Sequence, residues 1–264
     1  MPMTTFIRTS ATDRVTTITL ARPELHNAFN EVVIAELTQA FEAVGGDDAV
    51  RTVVLAGEGK SFCAGADIAW MKRMVDYSFD ENVADARAMS DMLRTIRECP
   101  KPVIARIHGA CIGGGVGLAA ACDMAVAVRG AVFCLSEVKL GIVPAVISPF
   151  VMEKIGPGAM RRYALTAERF DADEARRIGL ISEVVESAAD LDAWIAKIAE
   201  LIAGNGPQAL AACKQVLRDV QATADWDEKQ TITSRCIAER RASAEGQEGL
   251  KAFLEKRKAA WAGE

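Results

Sequence analysis

The stretch from Pro102 to Asp123, PVIARIHGACIGGGVGLAAACD, constrains the fold of this chain more than any other. Its run Val103–Ile107 is short and rich in β-branched residues, which predicts a buried strand. Three consecutive glycines, Gly113 to Gly115, then precede a run of small residues that is typical of a closely packed helix. Each glycine loses more backbone freedom on folding than any other residue, so this turn must need bare backbone. Because the unpaired N–H groups at a helix N-terminus attract anions, the turn predicts a site for a phosphate or an oxyanion.

Three other interpretations of this stretch compete with an anion site. The letters GVGLAA from Gly115 fit the G-x-G-x-x-A dinucleotide fingerprint, and an acidic residue, Glu137, lies about 20 positions further on. That fingerprint should join strand to helix directly, whereas a loop intervenes here. A second alternative is that the glycines serve only close helix packing. The third is a membrane span over residues 109–128, but the glycines and the central Asp123 favour a buried core element.

Composition and charge exclude several classes of protein. The 264 residues suffice for one large domain or for a domain with an appendage. Half of them are hydrophobic and a quarter charged, and the net charge of −5 gives no general attraction to nucleic acid or to an anionic membrane. No apolar segment typical of a secretion signal precedes the first charged residues, so we expect a cytoplasmic protein.

The cysteines and histidines predict neither disulfides nor a metal centre. The seven cysteines are odd in number, lack C-x-x-C spacing and lie mostly in apolar runs. We therefore expect them to be small buried side chains in a reducing compartment. The two histidines, His26 and His108, lack the paired spacing of metal ligands. The absence of a G-x-S-x-G motif disfavours a serine hydrolase.

Hydrophobic periodicity predicts strand, strand and helix in a repeated order before about residue 150, and then helices. The expected strands are Phe6–Ile7, Val15–Leu20, Thr52–Leu55, Val103–Ile107, Met124–Val128 and Val132–Leu135, with a turn over Ala11–Arg14. The expected helices begin with one between Asn30 and Gly45, followed by Asp80–Arg97, Asp171–Ile178, Leu191–Ala203, Pro207–Val220, Trp226–Ala242 and Gly249–Trp261. This order predicts an α/β spiral rather than a doubly wound sheet.

A second glycine-rich loop extends from Gly57 to Asp67, GEGKSFCAGAD. Alone it would be interpreted as an ordinary surface loop. Together with the triple-glycine turn it offers a second set of backbone amides that a ligand can approach closely.

Four segments resemble the enoyl-CoA hydratase/isomerase (crotonase) family in order and spacing. They are FCAGADI (62–68), KPVIARIHGACIGGGVGLAAACD (101–123), SEVKLGIVP (136–144) and RFDADEARRIGLISEVV (169–185). The resemblance implies a ββα spiral core over residues 1–190 and a C-terminal helical region over 191–264 that builds trimers, commonly paired into hexamers. It implies no separate cofactor, because CoA is part of the acyl-CoA substrate, and neither nucleic acid nor membrane as a partner.

The resemblance also assigns the chemistry. It places the thioester carbonyl oxygen between the backbone N–H groups of Ala66 and Gly114, where an enolate would be stabilised. Glu137 matches the family's acid/base glutamate. The hydratases carry a second glutamate after the glycine turn, and here that position holds Gly117.

The segment Pro144 to Ser148, PAVIS, replaces the usual glycine-rich turn of the family. With GGGVGL, it looks most like bacterial methylglutaconyl-CoA-type hydratases, which predicts hydration of a branched or carboxylated substrate such as 3-methylglutaconyl-CoA. A lone glutamate resembles the Δ3,Δ2-enoyl-CoA isomerases, which stay the alternative. A dinucleotide-binding oxidoreductase and a catalytically silent acyl-CoA-binding or RNA-binding member also remain open.

The resemblance further suggests where CoA lies. The predicted contacts are Leu25, His26, Ala28, Ala64, Ala66, Asp67, Ile68 and Gly114, with Phe253 and Lys256 supplied by a neighbouring subunit. We expect the carboxylates of Asp67 and Asp123 to bond loop amides rather than to act in catalysis.

Overall fold

The computed structural model describes residues 6–262. The strands are β1 (Ile7–Thr12), β2 (Val15–Leu20), β3 (Thr52–Gly57), β4 (Val103–Ile107), β5 (Ala110–Ile112), β6 (Met124–Val128), β7 (Val132–Cys134), β8 (Phe170–Asp171) and β9 (Glu183–Val185). The helices are α1 (Glu31–Gly46), α2 (Ile68–Met74), α3 (Phe79–Glu98), α4 (Gly114–Ala121), α5 (Ser148–Thr166), α6 (Ala172–Arg177), α7 (Ala188–Ala203), α8 (Pro207–Ala222), α9 (Trp226–Ala242) and α10 (Ala244–Leu254). The N-terminal segment in which no secretion signal was expected lies outside the described residues. So do the outer ends of the predicted regions 1–190 and 191–264.

The strands form two sheets that the chain visits alternately. One sheet has the order β1-β2-β3-β4-β6-β9 and is parallel apart from the β1–β2 pair; the other has the order β5-β7-β8. Along the chain β4 joins the first sheet, β5 the second, β6 the first and β7 the second, with α4 between the two pairs. This alternation confirms the predicted α/β spiral.

Helices cover both faces of the large sheet near its centre, which explains the composition of β3. Five of the six residues of β3 are buried, as expected of a parallel strand covered on both sides. On one face, Val54 packs in an apolar cluster with Leu191 and Ile195 of α7. The predicted boundary at residue 190 falls inside α7, whose Leu191 and Ile195 pack on the large sheet.

The N-terminal hairpin differs from its predicted form. The turn has only two residues, Asp13 and Arg14, both with positive φ (47° and 67°). Such turns match the twist of paired strands, so the pairing continues to Thr12 and Val15. The turn predicted over Ala11–Arg14 and the short strand Phe6–Ile7 were therefore wrong in extent.

Two helices, α2 and α5, were not predicted from the sequence. The first has only seven residues and begins directly after the glycine-rich loop, capped by Asp67. The second contains a break at Gly156, with φ of 71°, followed by Pro157, which obscures its periodicity. The last predicted helix was placed too late, because Ser243 caps α10 and starts it at Ala244.

The expectation of buried cysteines holds for five of the seven, whereas Cys213 is exposed and Cys236 half-buried. All eight residues of α4 are buried, which confirms a core element over the nearly uncharged stretch. None of the helices within residues 6–262 is long and apolar enough to cross a membrane. The loop expected between strand and helix at the dinucleotide fingerprint is absent, because β5 ends at Ile112 and α4 begins at Gly114; the fingerprint glycines Gly115 and Gly117 lie inside α4 rather than in the turn before it.

Candidate active site

A cavity of about 560 Å³ brings together the residues predicted to carry the chemistry. Its wall includes Ala66, Gly114 and Glu137, which come from three separate segments of the chain. Most of the remaining wall is apolar and is formed by Phe29, Trp70, Met71, Met74, Val75, Met89, Leu140, Ile142, Val143, Val146 and Ile147. The cavity therefore combines a few polar groups with apolar surroundings, as small-molecule sites generally do.

Ala66 lies in the second glycine-rich loop, where backbone hydrogen bonds of its two neighbours, Gly65 and Asp67, hold it against Phe29. The Phe29 N–H donates to the Gly65 carbonyl at 2.9 Å, and the Asp67 N–H donates to the Phe29 carbonyl at 2.9 Å. In this parallel bridge the N–H of Ala66 itself points away from Phe29. No acceptor for this N–H is found within the described part of the chain. It is therefore a fixed, unpaired donor.

Gly114 is the first residue of α4, so its N–H is one of the donors that a helix leaves without an internal partner. Among residues 6–262 it too has no acceptor. A Cβ on Gly114 would lie 2.2 Å from Cζ of Phe29, so only glycine fits here. The neighbouring loop is close, since a Cβ on Gly65 would lie 3.9 Å from the nitrogen of Gly114. The two unpaired donors thus sit side by side.

Glu137 begins a short 3₁₀ helix, Glu137–Leu140, but its side chain caps no helix. Its Oε1 would lie 3.2 Å from a Cβ on Gly113, the residue before Gly114. Its Oε2 is buried and makes no hydrogen bond in the described structure. Burial raises the pKa of this carboxyl above its ordinary value, although its own backbone N–H partly opposes the shift. A buried, unsatisfied carboxyl at a cavity wall is a candidate proton carrier.

Comparison with known proteins identifies the family. The family profile described as enoyl-CoA hydratase/isomerase matches residues 10–264. The chain belongs to the enoyl-CoA hydratase/isomerase family. A crystal structure of an enoyl-CoA hydratase from Shewanella pealeana superposes with a TM-score of 0.95 at 39% identity, covering 98% of this chain and 97% of that one.

Named relatives in the family include hydratases and isomerases. A crotonyl-CoA hydratase of Syntrophomonas wolfei is 35% identical over 249 residues, which is 94% of each protein. A peroxisomal Delta(3,5)-Delta(2,4)-dienoyl-CoA isomerase of Arabidopsis thaliana is also 35% identical, over 223 residues and 80% of each protein.

Gly117, which the resemblance predicts to stand where the family's hydratases carry a second glutamate, is tightly packed in the structure. A Cβ on Gly117 would lie 2.3 Å from Cγ2 of Ile147, which is itself only 2% exposed. Ile147 belongs to the PAVIS segment. The two predicted departures from the family pattern, Gly117 and PAVIS, therefore pack against each other. A side chain of any size at position 117 would require Ile147 to move.

The predicted CoA contacts fall into three groups. Ala64, Ala66 and Gly114 line the cavity. Leu25, His26 and Ala28 lie beside it, since the Ala64 N–H donates to the His26 carbonyl at 3.0 Å, and Ile68 is 73% exposed at the start of α2. Phe253 and Lys256 lie in or just after α10, and Phe253 is 80% exposed. Their predicted contact with the CoA of another subunit stays a prediction.

The two aspartates expected to bond loop amides bond backbone amides of regular elements instead, in the first turn of α2 and at the start of β4. Asp67 accepts from the N–H groups of Ala69 and Trp70 at 2.7 and 3.4 Å, and from Arg22 at 2.7 Å. Asp123 accepts from the Val103 N–H at 2.7 Å and from the ammonium of Lys214 at 2.5 Å. The carboxylate of Asp67 is therefore fully occupied inside the fold.

Sequence reasoning missed the polar residues of the α3 wall. Asp85 and Asn82 of α3 line the cavity, as does Trp70 of α2. Hydrophobic periodicity groups Val83 with Met89 on one apolar face of α3, but Val83 is 38% exposed. The spacing of four residues between Asp85 and Met89 was the available signal, since such residues share one helix face.

Proposed function

We propose that this protein is an enoyl-CoA hydratase that adds water across the α,β double bond of an acyl-CoA thioester. One observation carries the proposal. The buried, unbonded Oε2 of Glu137 lies in the wall of the same cavity as the unpaired N–H groups of Ala66 and Gly114. The cavity thus offers an acid/base group next to a pair of donors suited to an oxyanion.

The reaction follows from these groups. The Glu137 carboxylate takes a proton from a water molecule as the water oxygen attacks the β carbon. The electrons of the double bond move to the thioester oxygen, where the N–H groups of Ala66 and Gly114 stabilise the enolate. Glu137, now protonated, returns a proton to the α carbon and regenerates the carboxylate.

The environment of Glu137 suits both steps. A carboxyl whose pKa is raised by burial is a stronger base when ionised, and its proton remains available for return at neutral pH. Loss of one oxyanion donor typically lowers the rate about a hundredfold to a thousandfold. Both donors here are backbone groups, fixed by the Phe29 bridge and by α4.

The shape of the acyl pocket supports a branched, apolar acyl group. Ile142, Val143, Val146 and Ile147 enclose the cavity on the side of Glu137. Among the described residues no lysine or arginine lines this cavity, so a carboxylate on the acyl chain would have no countercharge. Hydration of 3-methylglutaconyl-CoA stays a prediction, and we propose a branched enoyl-CoA without a carboxylate as the better substrate.

The packing of Ile147 against Gly117 favours a second candidate, a Δ3,Δ2-enoyl-CoA isomerase. With no side chain at position 117, Glu137 is the one glutamate in the described lining of the cavity. A single carboxylate suffices to move a proton between two carbons of the substrate.

One experiment separates the two activities. The purified protein is incubated in heavy-oxygen water with crotonyl-CoA, 3-methylcrotonyl-CoA, 3-methylglutaconyl-CoA and 3-hexenoyl-CoA, and the products are weighed by mass spectrometry. Labelled alcohol from the first two supports the proposal. Migration of the double bond of 3-hexenoyl-CoA, with no labelled alcohol from any substrate, would establish the isomerase instead.

We further propose that the protein assembles as a trimer, or as a hexamer of two trimers, through its C-terminal helices. Large apolar side chains are exposed there, namely Leu217, Trp226, Phe253 and Leu254. Exposed apolar groups of this size favour burial against another surface. Light scattering should give a multiple of three times the 28.3 kDa chain mass. A stable monomer at micromolar concentration would contradict this.

A further inference from the structure

A serine hydroxyl in the cavity wall has no partner within the described part of the protein. Ser136 directly precedes Glu137, is half-buried and lines the same cavity. It stands at the N-cap position of the short 3₁₀ helix, yet its side chain makes no capping hydrogen bond. Serine normally occupies such a position because its oxygen accepts from a backbone N–H of the first turn. Here Oγ makes no hydrogen bond to any of residues 6–262, so it is available to a molecule in the cavity.

Ser136 and Glu137 present their oxygens to the same side of Gly113. A Cβ on Gly113 would lie 3.2 Å from Oε1 of Glu137 and 3.8 Å from Oγ of Ser136. Chain neighbours apart, the three atoms nearest to that point all belong to these two side chains. Gly113 itself lines the cavity and has no Cβ, so the space beside it is open. Two oxygens thus border one open space, directly before the oxyanion donor Gly114.

A water molecule that attacks a carbon needs two hydrogen-bond acceptors. It must direct a lone pair at the carbon, so both of its hydrogens point elsewhere. Glu137 can accept one of them, but most of the surrounding wall is apolar, and an unbonded O–H there costs free energy. The other polar side chains of the described lining, Asn82 and Asp85, belong to α3, and neither is among the atoms nearest to Gly113. Ser136 is therefore the best-placed second acceptor.

We propose that Ser136 is the second water-binding group of the hydration reaction. Its Oγ accepts a hydrogen bond from the attacking water, which rests against Gly113, while Glu137 takes the other proton. The water oxygen forms the new bond to the β carbon, and its remaining hydrogen stays on the product hydroxyl, bonded to Oγ. Glu137 then returns its proton to the α carbon, so Ser136 neither gains nor loses a proton. This role rests on the proposed function and lets a cavity with Gly117 hold water with one glutamate.

Two reactions of the same site test the proposal, because only one of them uses an attacking water. The first is hydration of crotonyl-CoA. The second is exchange of the α hydrogens of saturated butyryl-CoA in heavy water, which needs Glu137 and the oxyanion donors alone. Ser136→Ala should lower kcat for hydration about tenfold, as loss of one hydrogen bond allows, and leave KM and the exchange rate unchanged. Ser136→Thr, which keeps the hydroxyl, should recover most of the loss.

Three controls accompany these variants. Glu137→Gln should lose both hydration and exchange, since both need the base. Ser182→Ala, at an exposed serine outside the described lining of the cavity, should retain both. Thermal melting should give Ser136→Ala the stability of the wild type, because the hydroxyl makes no hydrogen bond in the described structure.

Each outcome decides between the two proposals. If the wild type exchanges α hydrogens but hydrates no enoyl-CoA, the proposed hydratase function fails, and the role of Ser136 with it. If the wild type and Ser136→Ala hydrate equally fast, only the role of Ser136 is overturned. Equal losses of hydration and exchange in Ser136→Ala would also overturn it, because they would show that Ser136 only positions Glu137.

Discussion

Two carboxylates flank the pair of unpaired N–H groups, and their surroundings are opposite. Asp67 directly follows Ala66, is buried, and is satisfied by Arg22 and two backbone N–H groups. Glu137 lies against Gly113, which directly precedes Gly114, and leaves a buried oxygen unbonded. Accordingly the hydrogen bonds of Asp67 lower its pKa despite burial, whereas burial raises the pKa of Glu137.

The difference separates a carboxylate that holds the site from one that performs its chemistry. A carboxylate whose oxygens are all hydrogen-bonded stabilises the fold in its ionised form and has no oxygen left for a substrate. A buried carboxylate with an unbonded oxygen costs folding free energy when it is ionised, and proteins retain such groups mainly where they are used. Substitutions at the two positions should therefore affect different quantities.

The largest expected effect is on turnover. Glu137→Gln retains the shape of the side chain but removes the base, so kcat for an enoyl-CoA substrate should fall about a hundredfold to ten-thousandfold. The variant should be at least as stable as the wild type at neutral pH, because an ionised carboxyl with a raised pKa no longer has to be buried. Steady-state kinetics and thermal melting measure both quantities.

Glu42→Gln, an exposed substitution on α1, is the matched control and should change neither turnover nor stability. Near-normal turnover in a folded Glu137→Gln protein would remove the distinction between the two carboxylates.

Asp67→Asn should act mainly on stability. The substitution leaves the Arg22 guanidinium buried without its counterion, and breaking a buried pair in this way costs about 3 kcal/mol. Urea unfolding measures the loss. Asp171→Asn is the control, since Asp171 caps α6 without a buried ion pair and asparagine caps helices equally well. Equal effects of the two substitutions would show that the ion pair contributes nothing.

The sequence predicted the reaction end of the cavity better than its walls. Ala66, Gly114 and Glu137 were all named, and the structure brings them into one cavity. The triple glycine made this possible, because close backbone approach allows almost no other residue. Recognition of the family supplied the pairing of Ala66 with Gly114, which no local pattern contains.

The α3 wall of the cavity was not predictable in the same way. Asp85 and Trp70 are ordinary helix residues, and which side of α3 faces the cavity depends on how α2 packs against it. Val83 and Met89 fitted one apolar face equally well by periodicity, yet only Met89 lines the cavity. The meeting of Gly117 with Ile147 was likewise hidden, because only tertiary packing joins the two segments.

The contact between Gly117 and Ile147 provides a test with a smaller expected effect. Gly117→Ala would place a methyl group 2.3 Å from Cγ2 of Ile147, and overpacking of this kind costs about 2 kcal/mol. Ile147→Ala should make room, so the double variant should be more stable than the sum of the single changes predicts. Urea unfolding of all four proteins gives the coupling. Gly130→Ala, with open space around the glycine, is the control. Additive effects would mean that the contact is not rigid.

The smallest effect, and the most direct comparison of the two carboxylates, is expected on mild acidification. Glu137 must be ionised to accept a proton from water, so kcat/KM should fall as the pH drops through its raised pKa, above the ordinary value for glutamate. The pKa of Asp67 is lowered, so its stabilisation is present above the ordinary value for aspartate and is lost only as the pH falls through the lowered folded-state pKa. A pH range should therefore exist in which the protein is folded but inactive. Tryptophan fluorescence and kcat/KM, measured on the same samples, should show two separate transitions, and activity should return at once on neutralisation. A single shared transition would mean that acid inactivates the protein by unfolding it, and that the pKa of Glu137 is not raised.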